Sequence, residues 1–257
     1  MHPRVHRYLQ ALILFGLSLF VLWKWLNGTL NWYINSRYLW LSLLAILGML
    51  GMAGVVIASA HEPPHHHDHA EEDPMAAEPL AAGRLPLAAT LGVLILVIPL
   101  LIGLAIPARP LSAGSVANKG ISVSAPLTSS VSKTTDPAGI QPTQRTILDW
   151  IKLFNYQTDL SPFLGQKAHV TGFVYHDAHL PPGHFMVGRF VITCCVADAF
   201  AIGMAVQADP ANQWADNTWV DVLGSVQSIE FNNQKIPLII VSSIQKAQEP
   251  SQPYLFP

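Results

Sequence analysis

Residues 38–60 read YLWLSLLAILGMLGMAGVVIASA, an uncharged run rich in Leu, Ala, Gly and Met. A helix needs about 20 mostly apolar residues to cross roughly 30 Å of hydrocarbon, and this run supplies them. Upstream, residues 8–23 (YLQALILFGLSLFVLW) form a second uncharged window. It reaches full length near residue 26 if Lys24 extends its ammonium to the interface. Downstream, residues 85–108 are uncharged around the core LAATLGVLILVIPLLIGLAI at 87–106. The sequence therefore predicts three transmembrane helices, about 9–26, 38–60 and 86–107. Trp23, Trp25, Trp32, Tyr33, Tyr38 and Trp40 crowd the first connection, as an interfacial aromatic belt does. Arg4 and Arg7 resemble the basic start of a signal peptide, but Trp23-Lys24-Trp25 is a poor cleavage site. Gly48, Gly51, Ala53 and Gly54 permit close helix approach, although ordinary glycine use in membrane helices explains them equally well. Pro99 is expected to kink the third span.

Composition agrees. Only 12% of the 257 residues are charged, 51% are hydrophobic, and the net charge is −2. That argues against a single soluble globule and against disorder. A near-neutral chain gives no reason to expect a nucleic-acid partner. Apart from Lys24 at the end of the first, no span holds a charged residue, so the chain is a poor ion path by itself. Three spans put the two termini on opposite sides. The paired arginines at the start favour the amino terminus inside and the C-terminal domain outside the cell.

Between the second and third spans, residues 61–84 read HEPPHHHDHAEEDPMAAEPLAAGR. His61, His65, His66, His67 and His69 stand there among Glu62, Asp68, Glu71, Glu72 and Asp73, and imidazole suits Zn, Cu, Ni and Co. Pro63, Pro64, Pro74 and Pro79 keep the loop irregular. Exchangeable metal binding is expected over a closed site; a solvated polar loop is the plain alternative.

Residues 111–142 are rich in Ser, Thr, Pro, Ala and Gly and read as a flexible linker. A soluble β-rich domain follows over 143–249, with a tail at 250–257. It opens on a short amphipathic helix at 143–155, with Thr143 as N-cap and Ile147, Trp150, Ile151 and Phe154 at helical spacing. Strands are expected near 166–175, 184–194, 200–207, 218–226 and 235–243. Turns are expected at Pro181-Pro182-Gly183 and Asn232-Asn233. The fold class is thus α+β: three membrane helices, a linker, and a short helix with a five-stranded OB-like β-barrel. A β-sandwich fragment is the alternative.

Cys194 and Cys195 are the only cysteines. Thiolates bind Zn or Cu(I) well. Neighbours on a regular strand point to opposite faces, so the pair can share an ion only where a strand ends. Asp198 is near enough to join. His176, His179 and His184 belong to the far end of the hairpin, because ten extended residues span about 33 Å. Pairing about the turn places Cys194 opposite residues 166–167, which leaves His169 as the nearest histidine. A core cysteine beside a surface thiol, with Asp198 capping a turn, is an equal reading. A substrate-contact role is a lesser reading, and a strained vicinal disulfide stays open if the domain faces an oxidising compartment.

Several features in order resemble the YcgQ-like permease subunit family. They are two spans, a His-rich loop, a third span, Gly165-Gln-Lys-Ala-His-Val-Thr-Gly-Phe-Val-Tyr175, Arg189-Phe-Val-Ile-Thr-Cys-Cys-Val-Ala-Asp-Ala199 and Gly203-Met204. The resemblance implies a multi-pass protein of the bacterial plasma membrane whose partner is a larger multi-spanning permease. It also implies a domain of unknown function at the C-terminus and a link to metal homeostasis. Carried over by motif, it marks Arg189, Cys194, Cys195 and Asp198 as site candidates.

The leading expectation is an accessory subunit of a two-component permease, extending to the handling of a transition metal such as Zn²⁺. The competing expectations are a membrane-anchored thiol-redox or assembly factor and a structural tether whose β domain docks a protein. An enzyme is least expected, since no P-loop, GxGxxG, HExxH or serine triad context is present.

Overall fold

The computed structural model describes residues 3–61, 85–122, 137–210 and 213–256. They form two compact units.

The first unit is helical. Helix α1 runs Pro3–Leu26, α2 runs Leu39–His61 and α3 runs Leu85–Ala105. At 1.5 Å per residue these are about 36, 34 and 32 Å long. Val5–Leu26 and Ser36–Ser59 are long and apolar enough to cross a membrane. Arg7 Nη1 donates to Ser59 O, which ties the start of α1 to the end of α2. Ala11 and Ile13 on α1, and Ser42, Ile46 and Ala53 on α2, are buried. Gly48, Gly51 and Gly54 of α2 meet nothing at the position of an added Cβ. Of the four small residues, only Ala53 therefore packs within this unit. Helix α3 continues through Pro99. It approaches α1 where a Cβ on Gly103 would lie 2.7 Å from Phe20 Cζ.

The second unit contains Trp32–Asn35 and Arg109–Pro257. The linker region departs from its sequence reading. Helix α4 (Ala113–Lys119) and strand β1 (Ile121–Ser122) occupy its first part. Val116 is fully buried there. Helix α5 spans Ile147–Tyr156, so the N-cap is Thr146 and not Thr143. The physical reason is a capping box. Thr146 N donates to Asp149 Oδ2 (2.9 Å), and Asp149 N donates to Thr146 Oγ1. Thr143 lies instead in the short 3₁₀ turn Pro142–Gln144.

Six more strands follow: β2 (Lys167–Tyr175), β3 (His184–Val191), β4 (Phe200–Gln207), β5 (Trp219–Phe231), β6 (Gln234–Lys246) and β7 (Tyr254–Leu255). The five long ones match the expected strands closely. The sheet has seven strands, because β1 pairs with β4 and β7 with β3. The tail thus carries a strand of the domain.

The pairings return to their starting strand. β2 pairs with β3, β3 with β4, β4 with β6, β6 with β5, and β5 with β2. Only β4–β6 is parallel within this ring. Gly183 (φ 83°) turns β2 into β3, and Asn232 and Asn233 (φ 48° and 61°) turn β5 into β6. Successive left-handed residues suit a two-residue hairpin turn. Trp150, Ile151 and Leu153 of α5 pack with Val170, Phe185, Val187, Met204, Val222 and Ile239 in the main core.

Tight strand approach makes two glycines obligatory. A Cβ at Gly224, beside the register shift in β5, would lie 2.2 Å from Ile240 O; at Gly172 it would lie 2.5 Å from Gly188 O. Gly224→Ala is expected to cost about 1–3 kcal/mol, as overpacking does. A lowered thermal midpoint of the purified full chain checks this, and an unchanged one refutes it.

Candidate functional site

Strand β3 ends at Val191, and the chain must turn to begin β4 at Phe200. Turning strips the next amides of ladder partners, and each backbone N–H on this exposed turn seeks another acceptor. Asp198 supplies them. Its Oδ1 accepts from Thr193 N (3.2 Å) and its Oδ2 from Cys194 N (2.8 Å). The edge left free takes a distant partner. Ile34 forms an antiparallel bridge with Cys195. Asn35 N donates to Cys194 O (3.0 Å), and Val196 N donates to Tyr33 O (2.8 Å). Asn35 Nδ2 donates to Thr193 O (2.9 Å), and Asn35 is 8% exposed. Residues 193–196 therefore hold the segment that follows α1.

Cys194 is exposed, Cys195 is half-buried, and both are free thiols. Their sulfurs stand 3.7 Å apart. The Asp198 carboxylate, and after it Cys195, accepts from the Cys194 thiol and pushes its pKa up to about 11. At Cys194 the shift runs opposite to the depressed pKa that a thiol-redox factor is expected to show in its attacking cysteine.

The other expected residues lie elsewhere. His169 Nε2 lies 2.7 Å from Asp221 Oδ2, and Thr171 Oγ1 donates to Asp221 Oδ1 (2.8 Å). Partial burial raises the Asp221 pKa, but the hydrogen bonds from His169 and Thr171 outweigh it and leave the carboxyl below its ordinary value. His169 is thus engaged across the β2–β5 pair. His176 faces Asp216 and His179 faces Asp177, each at 2.7 Å. These flank the β2–β3 turn, at the other end of β3 from the cysteines. His61 ends α2. His65, His66, His67 and His69 lie outside the described residues. Among the described residues, no three His, Cys, Asp or Glu side chains converge to hold a metal ion.

Arg189 has a different role from the cysteines. It is 9% exposed. Its Nε donates to Pro253 O (2.8 Å), Nη2 to Gln252 O (2.9 Å) and Nη1 to Thr171 O (3.3 Å). The guanidinium lies 5.3 Å from the Trp219 ring centroid. Burial lowers its pKa to about 10, although Glu249 pulls the other way. Arg189 fastens the tail against the sheet. Tyr254 carries the contact onward: its hydroxyl accepts from Leu111 N (2.8 Å).

Sequence similarity now adds to this geometry. Residues 9–122 match the DUF1980 N-terminal domain, and residues 123–257 match the DUF1980 C-terminal domain. The chain belongs to the DUF1980 family. One relative is a Streptococcus mutans protein named "Putative two-component membrane permease complex subunit". It is 24% identical over an alignment of 283 positions, which covers 96% of this chain and 98% of that protein. Another is the UPF0703 protein YcgQ of Bacillus subtilis, 26% identical over 106 residues. That match covers 40% of this chain and 36% of YcgQ. A solved small single-stranded DNA-binding protein from Streptomyces coelicolor aligns with 32% of this chain and 93% of its own, at 12% identity and a TM-score of 0.22, too slight a likeness to carry an argument. The YcgQ-like resemblance read from the motifs thus holds across the family.

Asn35 and the tail were not among the expected functional residues. Nothing in the local sequence marks Asn35, because its partner Thr193 is 158 positions away. Asp198→Asn removes the carboxylate that retains the Cys194 proton. The Cys194 pKa should fall toward its ordinary 9.0. Alkylation of Cys194 at pH 8 should then speed up by about tenfold to a hundredfold, in step with the thiolate fraction. Peptide-resolved iodoacetamide rates measure this; equal rates in both proteins would contradict the assigned cause.

Proposed function

We propose that the chain is the accessory subunit of a two-component membrane permease in the bacterial plasma membrane, with a larger multi-spanning protein as partner. The observation that carries this reading is the capture of residues 32–35 by the β domain. Those residues follow α1, whereas the domain follows α3. If α1 and α2 cross the bilayer, a connection and a domain that fold together must share one side. The chain must then return after α2, and α3 is a 21-residue helix in an uncharged stretch that suits the return. Three crossings result. The arginines before α1 favour the amino terminus inside, which puts the β domain outside. The Streptococcus mutans relative, matched over nearly its whole length, bears the name of such a subunit.

The interiors of the spans, away from Arg7 and Lys24 at the ends of α1, lack charged residues, so conduction falls to the partner and this chain contributes a scaffold. The closed five-strand ring with α5 packed in its core supports an OB-like barrel put to protein docking. One observation favours an added role in transition-metal handling. Two Zn–S bonds of about 2.3 Å at the tetrahedral angle place sulfurs about 3.8 Å apart. Cys194 and Cys195 stand at 3.7 Å. Asp198 or the partner subunit would complete such a site.

Purification of the tagged chain from native membranes tests both parts. A multi-spanning protein eluting at about one copy per chain supports the subunit reading, and a chain that elutes alone sinks it. Zinc near one equivalent supports the metal role, and a metal-free eluate removes it. Orientation has its own test. Thr158 is exposed on the β domain. With Cys194→Ser and Cys195→Ser in place, Thr158→Cys should react with an impermeant maleimide on spheroplasts. Labelling only after lysis would reverse the orientation.

A further inference from the structure

Three hydrogen bonds that join residues 33–35 to the 193–196 edge sit on or beside the Cys194–Cys195 peptide. Cys194 O accepts from Asn35 N, Thr193 O accepts from Asn35 Nδ2, and Val196 N donates to Tyr33 O. The two sulfurs are 3.7 Å apart, exposed and half-buried, and unbonded. A disulfide needs about 2.05 Å. Cys195 is extended (φ −153°, ψ 171°). Cys194 lies in a bend, which brings the two side chains together, but adjacent Cα atoms stand about 3.8 Å apart, below the roughly 4.4–6.8 Å that a disulfide ordinarily spans. Bonding the two sulfurs therefore strains the intervening peptide out of its present conformation. That peptide carries Cys194 O, the acceptor for Asn35.

We propose that Cys194 and Cys195 form a redox latch: as thiols they let the edge hold residues 33–35, and as a vicinal disulfide they release it. The inference does not depend on the permease reading. The oxidant is an external disulfide, RSSR. The Cys195 sulfur attacks one RSSR sulfur, giving a mixed disulfide and one RSH. The Cys194 sulfur then attacks Cys195 Sγ, and the second RSH departs. Two S–H bonds and one external S–S bond break, one internal S–S bond forms, and both protons end on the released thiols. Two electrons pass from the cysteine pair to RSSR. A reducing dithiol runs the exchange backwards.

The test uses the purified full chain in detergent and oxidised glutathione. Conversion is read as a loss of about 2 Da in intact mass. Backbone hydrogen exchange of the peptide covering residues 31–37 reads the latch. Oxidation should speed exchange at Asn35 by about tenfold or more, and dithiothreitol should restore protection. Cys195→Ser should keep protection with and without oxidant; Cys195→Ala serves the same purpose if serine disturbs the turn. Mass loss with unchanged protection overturns the proposal. So does a chain that shows no mass loss under saturating oxidant.

Discussion

Three residue pairs, Ala205↔Leu238, Val206↔Ile239 and Gln207↔Ile240, turn an open sheet into a ring. A sheet edge exposes unpaired amides and carbonyls, and closure removes most of that exposure. Once β4 meets β6, the inward side chains of five strands enclose one volume, and α5 packs into it. Trp150 and Ile151 are fully buried for that reason. The glycines at 172 and 224 serve the same constraint, since the strands approach closely where a side chain would collide with backbone.

A ring has an outside as well. All residues of β3 from Phe185 to Val191 are buried, so this strand is covered on both faces. The outer cover comes from separate stretches of chain. Phe190 and Ile192 cluster with Ala113, Val116 and Tyr254, and Trp32 packs against them. Arg189 binds the carbonyls of the tail and stacks on Trp219. The guanidinium serves here as a multi-donor clasp, a task its planar fork suits better than a lysine would. The 193–198 turn belongs to the same cover, since its edge holds residues 33–35.

The sequence was legible where its signal was local. Alternation and turn residues located the five long strands to within a few positions, because β pairing imposes a period of two. The register was legible as well. Phe173↔Gly188 through Tyr175↔Met186 extrapolate to Cys194 opposite residue 167, as the turn position implied. What failed to show was contact between distant segments. Val116 looked like part of a linker because low-complexity composition hides a single buried anchor. Tyr254 looked like a tail because two residues are too few for a periodic signal. Thr143 and Thr146 differ as caps only through Asp149, three residues after Thr146. His169 was near the cysteine register but pairs across β5, and a single sequence carries no sign of Asp221 as its partner.

Residues 32–35 and 254–255 are both integral to one body, although nearly the whole chain separates them. During synthesis the first segment emerges long before the second exists. Asn35 must wait for a partner 158 positions on, and Trp32 for one 219 positions on. The cover over β3 is incomplete until residues 254–255 have been made. Long-range closure of this kind makes folding slow and late. It also makes the finished body depend on a short late segment, because a chain lacking residues 252–254 has no carbonyls for Arg189 to hold and exposes the face that Tyr254 covers.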